Sequence, residues 1–226
     1  MIKLMKYLKR SAGYIVIIIT LLFLQAYCDL SLPNYTSNII NVGIQQNGIE
    51  DSVPEKIRKT SMDSLKLFMD DDDAKTVDKF YEEDGDELVL KDKISADDRE
   101  ELNSIFGKPM VIVSTLTSDS EETKATLAKM GIPEGVDPLT ALAQMPKEAL
   151  SAMKEQVSEK IDKMQESIIT QAGVSYVRAE YEAMGEDVDA IQMDYMKSTG
   201  IRMVLMALVT MMAAVCVVFL SARVAA

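Results

Sequence analysis

Histidine is missing from this 226-residue chain, and cysteine occurs only twice. Without an imidazole, Ser-His-Asp and Cys-His nucleophilic arrangements are excluded. The usual zinc ligand sets go with them, since no second cysteine pair replaces the histidines. A phosphate-cradling loop is lacking as well: Gly107-Lys108-Pro109 has no Ser or Thr after the lysine and no glycine five residues before the Gly-Lys pair. Carboxylates are plentiful, but abundance on an acidic surface does not make a poised acid/base pair. The chain shows no internal repeat and no Gly/Ser linker. The most consequential absence is of acid at the two ends, because all 36 Asp and Glu residues lie between Asp29 and Gly200.

What flanks that acidic block is apolar. Ala12 to Cys28 is a run of 17 residues whose only polar members are Thr20 and Gln25. As helix it measures about 25 Å, the short end of a bilayer span, and Leu30 and Leu32 lengthen it along a partly apolar face. Met203 to Ala222 is a run of 20 residues between Arg202 and Arg223, or about 30 Å. Both runs are long enough to cross. Lys3, Lys6, Lys9 and Arg10 precede the first with no acid to offset them, so the positive-inside rule keeps the N-terminus in the cytoplasm and places residues of about 29–200 outside. Four of the 24 bases precede the first run and two flank the second, leaving 18 against 36 acids, a net of −18. Such a segment resists docking on nucleic acid or anionic headgroups, so no nucleic-acid partner is expected.

A cleaved signal peptide is the rival reading of the first run, but Tyr27 puts a bulky ring where the residue before a cleavage site is small. Cys28 is expected near the outer face and Cys216 deep in the second span, which makes both small apolar fillers rather than a disulfide. The expected organisation is a cytoplasmic N-terminus over 1–11, a first transmembrane helix with its extracellular extension over 12–48, an acidic extracellular domain over 49–186, and a helix leading into the second transmembrane helix over 187–226. The fold class is a mainly α membrane protein, with two transmembrane helices flanking a mostly helical extracellular domain that carries a small β-hairpin.

Within the acidic block, Leu32, Tyr35, Ile39, Ile40 and Ile44 continue the first helix along one stripe, with a kink expected at Pro33 and a stop at Gln46-Asn47-Gly48. Asp51-Ser52-Val53-Pro54 reads as the start of a helix reaching about Met69. Asp70 to Asp73 reads as an acidic break. Calcium binding there, with Asp84-Gly85-Asp86 adding ligands, is the sharper alternative, but an EF-hand register around Gly85 puts Phe80 and Lys91 where acidic ligands belong. Phe80 to Leu90 predicts the hairpin, with Asp84-Gly85 as its turn. Ser95 caps a helix running toward Phe106, which Gly107-Lys108-Pro109 is expected to interrupt. Met110 to Val113 leaves strand and helix both open. Leu150, Met153, Val157, Ile161, Met164 and Ile168 recur at steps of three and four, one packed helical stripe expected to end at Gly173. A further helix ends at Gly185, and a last one begins near Asp187 and passes into the second span.

Almost no charge lies inside the two runs, which counts against a proton relay or ion pathway. Met203, Met206, Met211 and Met212 give the second run adaptable side chains, read first as helix-packing or lipid-facing. Ser221 to Ala226 stays helix-friendly with no cap or tail, so the chain reads as cut in mid-helix.

The stretches Asp29-Leu30-Ser31-Leu32-Pro33 through Asn41-Val42-Gly43-Ile44, Asp189-Ala190-Ile191-Gln192 with Tyr195 and Gly200, and Ser221 with Arg223-Val224-Ala225-Ala226 together resemble the first span, outer loop and second span of a bacterial ABC exporter. The subfamily is the Firmicute type in which permease and ATP-binding domains share one chain. Residues of about 60–146 resemble its enlarged first outer loop. The resemblance implies a six-span permease followed by a nucleotide-binding domain that uses Mg-ATP, and pairing with a second half-transporter, often as a heterodimer. It also implies a small apolar, lipid or peptide substrate. Four spans, the coupling loop and every ATP motif are absent here, so this fragment is expected to hold no cofactor and no catalytic or metal-binding residue. Its expected part is two cavity-wall helices and an extracellular cap, with Tyr14, Phe23, Gln25 and Tyr27 as candidates to line the translocation path, though only one helix face can do so. Helix, outer domain, helix is also the plan of chemoreceptors and sensor kinases, and a module anchored by two helices is a third option.

Overall fold

The computed structural model describes residues 12–129, 132, 136–145, 154, 157–158 and 161–225. In chain order these form α1 (Ala12–Asn38), a π-helical segment (Ile39–Gln45), β1 (Lys56–Arg58), α2 (Lys59–Lys66), α3 (Asp71–Phe80), β2 (Tyr81–Asp84) and β3 (Glu87–Leu90). There follow α4 (Ala96–Thr117), α5 (Glu121–Lys129), α6 (Pro138–Ala143), α7 (Glu166–Met184) and α8 (Val188–Ala225). The chain divides into two compact units, one made from its two ends up to Gly48 and from Ala190, the other from Ile49–Asp189. Lys3, Lys6, Lys9 and Arg10, on which the expected orientation rests, and Leu150 and Met153 of the expected stripe lie outside the described residues.

Two helical stretches, Ala12–Gln45 and Val188–Val224, are long and apolar enough to cross a membrane. The first keeps Pro33 inside α1 and then opens into the π-helical segment. Its end is built by backbone geometry: Gly48 N–H donates to Val42 O at 2.8 Å, and Asn47 and Gly48 take φ of 54° and 81°. Gly48 is required there on two counts, the positive φ and an ideal Cβ position only 2.9 Å from the Gln192 Cα. The second stretch is one uninterrupted 38-residue helix.

The Ile49–Asp189 unit is organised around α4, whose Phe106, Gly107 and Pro109 to Val113 are all buried. A helical stretch apolar almost all round belongs in a core, and α4 packs most extensively on α7. That packing overrides the expected interruption at Gly107-Lys108-Pro109. Gly107 lets α7 approach so closely that a Cβ would lie 2.9 Å from Ile169 Cγ2, and Pro109 is carried inside the continuous helix. Met110 to Val113 are therefore helix. Phe106 also meets Tyr81 edge to face, with ring centroids 5.9 Å apart.

The Ser95 cap forms as a full capping box: Ser95 Oγ accepts from Asp98 N at 3.1 Å while the Asp98 carboxylate accepts from Ser95. Ser95→Ala should lower the stability of this unit by about 1 kcal/mol, read as a shift of the urea midpoint with an unchanged slope; no shift would remove the cap as a stabilising element.

Several local expectations are corrected. The sheet has three strands in the order β1-β3-β2, all antiparallel, so the hairpin gains a partner from a segment expected to be helical. Asp51 to Pro54 start no helix because their neighbourhood's amides are taken by distant groups. Ser52 N donates to Asn103 Oδ1 at 2.8 Å and Glu55 N to the Tyr181 hydroxyl at 2.8 Å, while Leu90 N donates to Glu55 O at 2.9 Å. The hairpin turn is Gly85-Asp86 rather than Asp84-Gly85, since Asp84 pairs with Glu87 and Gly85 supplies the positive φ of 60°. Asp71, Asp72 and Asp73 form the first turn of α3, where negative charge favours the helix dipole, instead of a loop. The expected stripe from Val157 to Ile168 is broken at residues 162–165: Ile161 is buried, but Met164 and Ile168 are exposed and α7 starts anew at Glu166. Gly173 ends nothing; it lies inside α7, pressed against Ser52. Gly185 does end α7, at φ 80°, with Glu186 N donating to Tyr181 O at 2.9 Å.

Candidate functional site

In the unit formed by the chain ends, the less exposed residues of α1 recur at helical steps: Ile15, Ile18, Leu21, Gln25, Cys28, Leu32 and Tyr35. On α8 the corresponding set is Gln192, Thr199, Met203, Met206, Thr210, Ala213 and Val217. Each helix thus has one packed stripe and one bare side. Close contact is explicit at one end, where Gln192 Nε2 donates to Gly43 O at 2.6 Å and an ideal Cβ on Gly43 would lie 3.2 Å from Met196 Cγ. The acceptor is a carbonyl of the π-helical segment, whose altered ladder leaves oxygens for side-chain donors.

The four path-lining candidates are divided by this geometry. Successive residues turn about 100° around a helix, which puts Gln25 about 20° from Tyr14 and Phe23 on the opposite side with Tyr27. Gln25 is half-buried on the packed stripe, whereas Tyr14, Phe23 and Tyr27 are 42%, 74% and 65% exposed. The methionines split likewise, Met203 and Met206 packed, Met211 and Met212 bare. Thr20 donates to Val16 O at 3.0 Å, the internal satisfaction expected of a hydroxyl in an apolar helix. The thiols of Cys28, buried, and Cys216, exposed, are both free.

The Ile49–Asp189 unit carries two clefts of different chemistry. One, of about 1050 Å³, is edged by Asp70, Asp73, Glu101 and Asp162 together with Lys108 and Lys154. Lys108 pairs with Asp162 at 2.6 Å, and Lys154 donates to Met69 O at 3.0 Å. Burial, reinforced by Asp70, Asp72 and Glu101, raises the Asp73 carboxyl above its ordinary range. Among the described residues no three His, Cys, Asp or Glu side chains converge to hold a metal.

The other cleft, of about 750 Å³, has Arg58 and Glu180 as its charged members. Glu180 is 5% exposed. It accepts from Arg58 Nε at 2.8 Å and Nη2 at 2.7 Å, from Arg58 N at 3.0 Å and from Ser61 Oγ at 3.0 Å. Burial pushes this carboxyl up, but the bonds from Arg58 and Ser61 outweigh it and hold it below the usual range. Beside it, burial and the Glu180 charge push the Tyr176 phenol up to about 12.

Arg58 and Glu180 escaped the sequence reading because 122 residues separate them and no local pattern links them. A weak signal existed in the hydroxyls: Ser61 and Ser64, and Ser114 with Thr117 and Ser118, sit at helical spacing on one side of their helices. Gly107 is helical and buried, so the chain offers no nucleotide cradle there. No family model, curated protein or solved structure matches the chain.

Proposed function

We propose that this chain is the N-terminal part of the permease domain of an ATP-driven ABC exporter, in which α1 and α8 serve as its first two membrane spans and the Ile49–Asp189 unit is an extracellular cap. The supporting observation is the division of the chain: two long apolar helices from opposite ends form one compact unit, and the acidic residues between them fold as another. The resemblance of residues 29–44 and 189–200 to such exporters falls on the helix ends where Gln192 holds Gly43.

In this reading the N-terminus is cytoplasmic and the partner is a second half-transporter. The substrate is a small apolar, lipid or peptide molecule. Mg-ATP is bound by a nucleotide-binding domain distinct from these residues. The role of α1 and α8 is mechanical. A rigid helix that runs unbroken for 38 residues transmits displacement along its length, and the Gln192 bond couples it to the end of α1.

Single cysteines at Tyr14, Phe23, Gln25 and Tyr27, in the full transporter with Cys28 and Cys216 replaced by alanine, test the reading. Reactivity toward a water-soluble maleimide should change between ATP-bound and ATP-free states for one face, either Tyr14 with Gln25 or Phe23 with Tyr27, and stay low on the other. State-independent protection at all four positions would overturn it. Protease treatment of intact cells should remove the Ile49–Asp189 unit, and removal only from inverted vesicles would reverse the orientation.

Sensing is the second reading, favoured by the same unbroken α8, since a continuous helix from a domain edge through a span is a direct route for a piston or rotation. It would show α8 cross-links that respond to an outer-domain ligand and ignore ATP.

A further inference from the structure

We propose that the cleft between α2, α4 and α7 binds an uncharged, hydroxyl-rich small molecule, a sugar or similar polyol. The inference stands whether the chain is an exporter cap or a sensor domain.

Three observations carry it. First, eight of the fourteen residues around the cleft bear a hydroxyl, on a domain whose surface is otherwise dominated by carboxylates. Second, three of those hydroxyls share a polarity. Ser64 donates to Thr60 O, Thr117 to Val113 O and Ser175 to Gln171 O, each at 2.8 Å. Their protons are spent on their own helices, so the lone pairs are what they offer to a guest. A ligand that brings donors can use these lone pairs, which a carboxylate or phosphate cannot do.

Third, the one ion pair in the wall is already neutral. Arg58 uses Nε and Nη2 on Glu180, and Glu180 also takes Ser61 and the Arg58 amide. The carboxylate has no capacity left for an ammonium, while the guanidinium fork retains donors on its remaining nitrogen. A guest here meets acceptors from the hydroxyls and donors from Arg58, with no net charge. Sugar hydroxyls, each both donor and acceptor, match that set. A cation finds better partners in the acidic cleft by Asp73 and Glu101, so the two clefts separate ligands by charge. Tyr176 completes the wall with an aromatic ring, a surface against which a pyranose can lie, and a volume of about 750 Å³ falls within the range of small-molecule sites.

The test uses the full chain in detergent micelles and saturation-transfer NMR with three probes of one shape: cellobiose, its diamino analogue and its uronic acid analogue. Cellobiose should bind with millimolar affinity and the charged analogues at least about tenfold more weakly. Ala179→Trp, which fills the cleft from an exposed helix position, should abolish cellobiose transfer while leaving the thermal unfolding curve in place. Thr117→Val, which removes the acceptor but keeps the shape, should weaken binding severalfold and serves where the tryptophan disturbs folding. Equal or stronger binding of the diamino or uronic acid probe overturns the proposal. So does cellobiose binding that ignores both substitutions, and so does the absence of transfer with all three probes.

Discussion

Gly173→Val is expected to remove about 3 kcal/mol from the stability of the Ile49–Asp189 unit, the upper end of the usual range for overpacking a core. At Gly173 α7 crosses the segment leading into β1 so closely that a Cβ would fall 2.7 Å from the Ser52 Cβ and nearer still to its Oγ. Neither side can retreat cheaply. Ser52 is completely buried, its amide is tied to Asn103, and three residues on Glu55 is tied to Tyr181 of the same α7. Urea unfolding followed by near-ultraviolet dichroism of Tyr81, Tyr176 and Tyr181 reports the loss. Combining the change with Ser52→Gly should restore a large part of it, because the double substitution empties the contested space. By contrast, Ser52→Ala alone should be nearly neutral, since its hydroxyl has no hydrogen-bond partner among the described residues and deleting an unsatisfied buried group removes a penalty. A Gly173→Val protein as stable as the parent would mean that the two segments do not meet.

The second large effect is expected at Glu180. Glu180→Ala should destabilise the same unit by about 3 kcal/mol, the lower end of the range for breaking a buried pair, because Arg58 remains partly exposed and recovers some hydration. The loss combines an unpaired guanidinium with an orphaned Arg58 amide and Ser61 hydroxyl. Glu180→Gln keeps the shape and an acceptor, so it should fall between alanine and the parent.

The pH dependence identifies the carboxylate. Because the Glu180 carboxyl titrates below the ordinary glutamate range in the fold, ionisation favours the fold. That contribution is fully present above the unfolded value and is lost as the pH falls through the lowered folded one. The stability gap between parent and Glu180→Gln should therefore be flat down to about pH 5 and narrow below it. A gap unchanged through the acid range would assign the loss to packing instead of charge.

What the sequence disclosed well was whatever depended on nearby residues. The capping box at Ser95 and Asp98, the stop at Gln46-Asn47-Gly48, the left-handed end at Gly185 and the hairpin about Gly85 are signalled by residues close together in the chain, and all are found in the structure. The apolar runs were legible for the same reason, since length and composition alone decide whether a helix can cross a bilayer. Failures clustered where distant segments compete for the same backbone. Gly107 and Gly173 read as helix ends because glycine lowers helix propensity by roughly 1 kcal/mol, yet each is retained inside a helix by the closeness of what lies against it. Asp51 to Pro54 read as a helix start because acid and proline suit one, yet their neighbours' amides are satisfied by Asn103 and Tyr181. The path-lining candidates Tyr14, Phe23, Gln25 and Tyr27 were chosen by residue type, and only the packing of the helices sets Gln25 apart from the three exposed rings.

By itself, then, the amino-acid order determined a helical chain with two long apolar helices and an acidic block between them, since hydrophobic length and charge segregation act on each segment separately. Tertiary structure alone decided that β1 joins the hairpin, that α4 runs unbroken through Pro109, and that Arg58 meets Glu180 in a cleft of hydroxyls. These outcomes depend on groups up to 122 residues apart, whose pairing energy exists only after the chain has closed the loop between them.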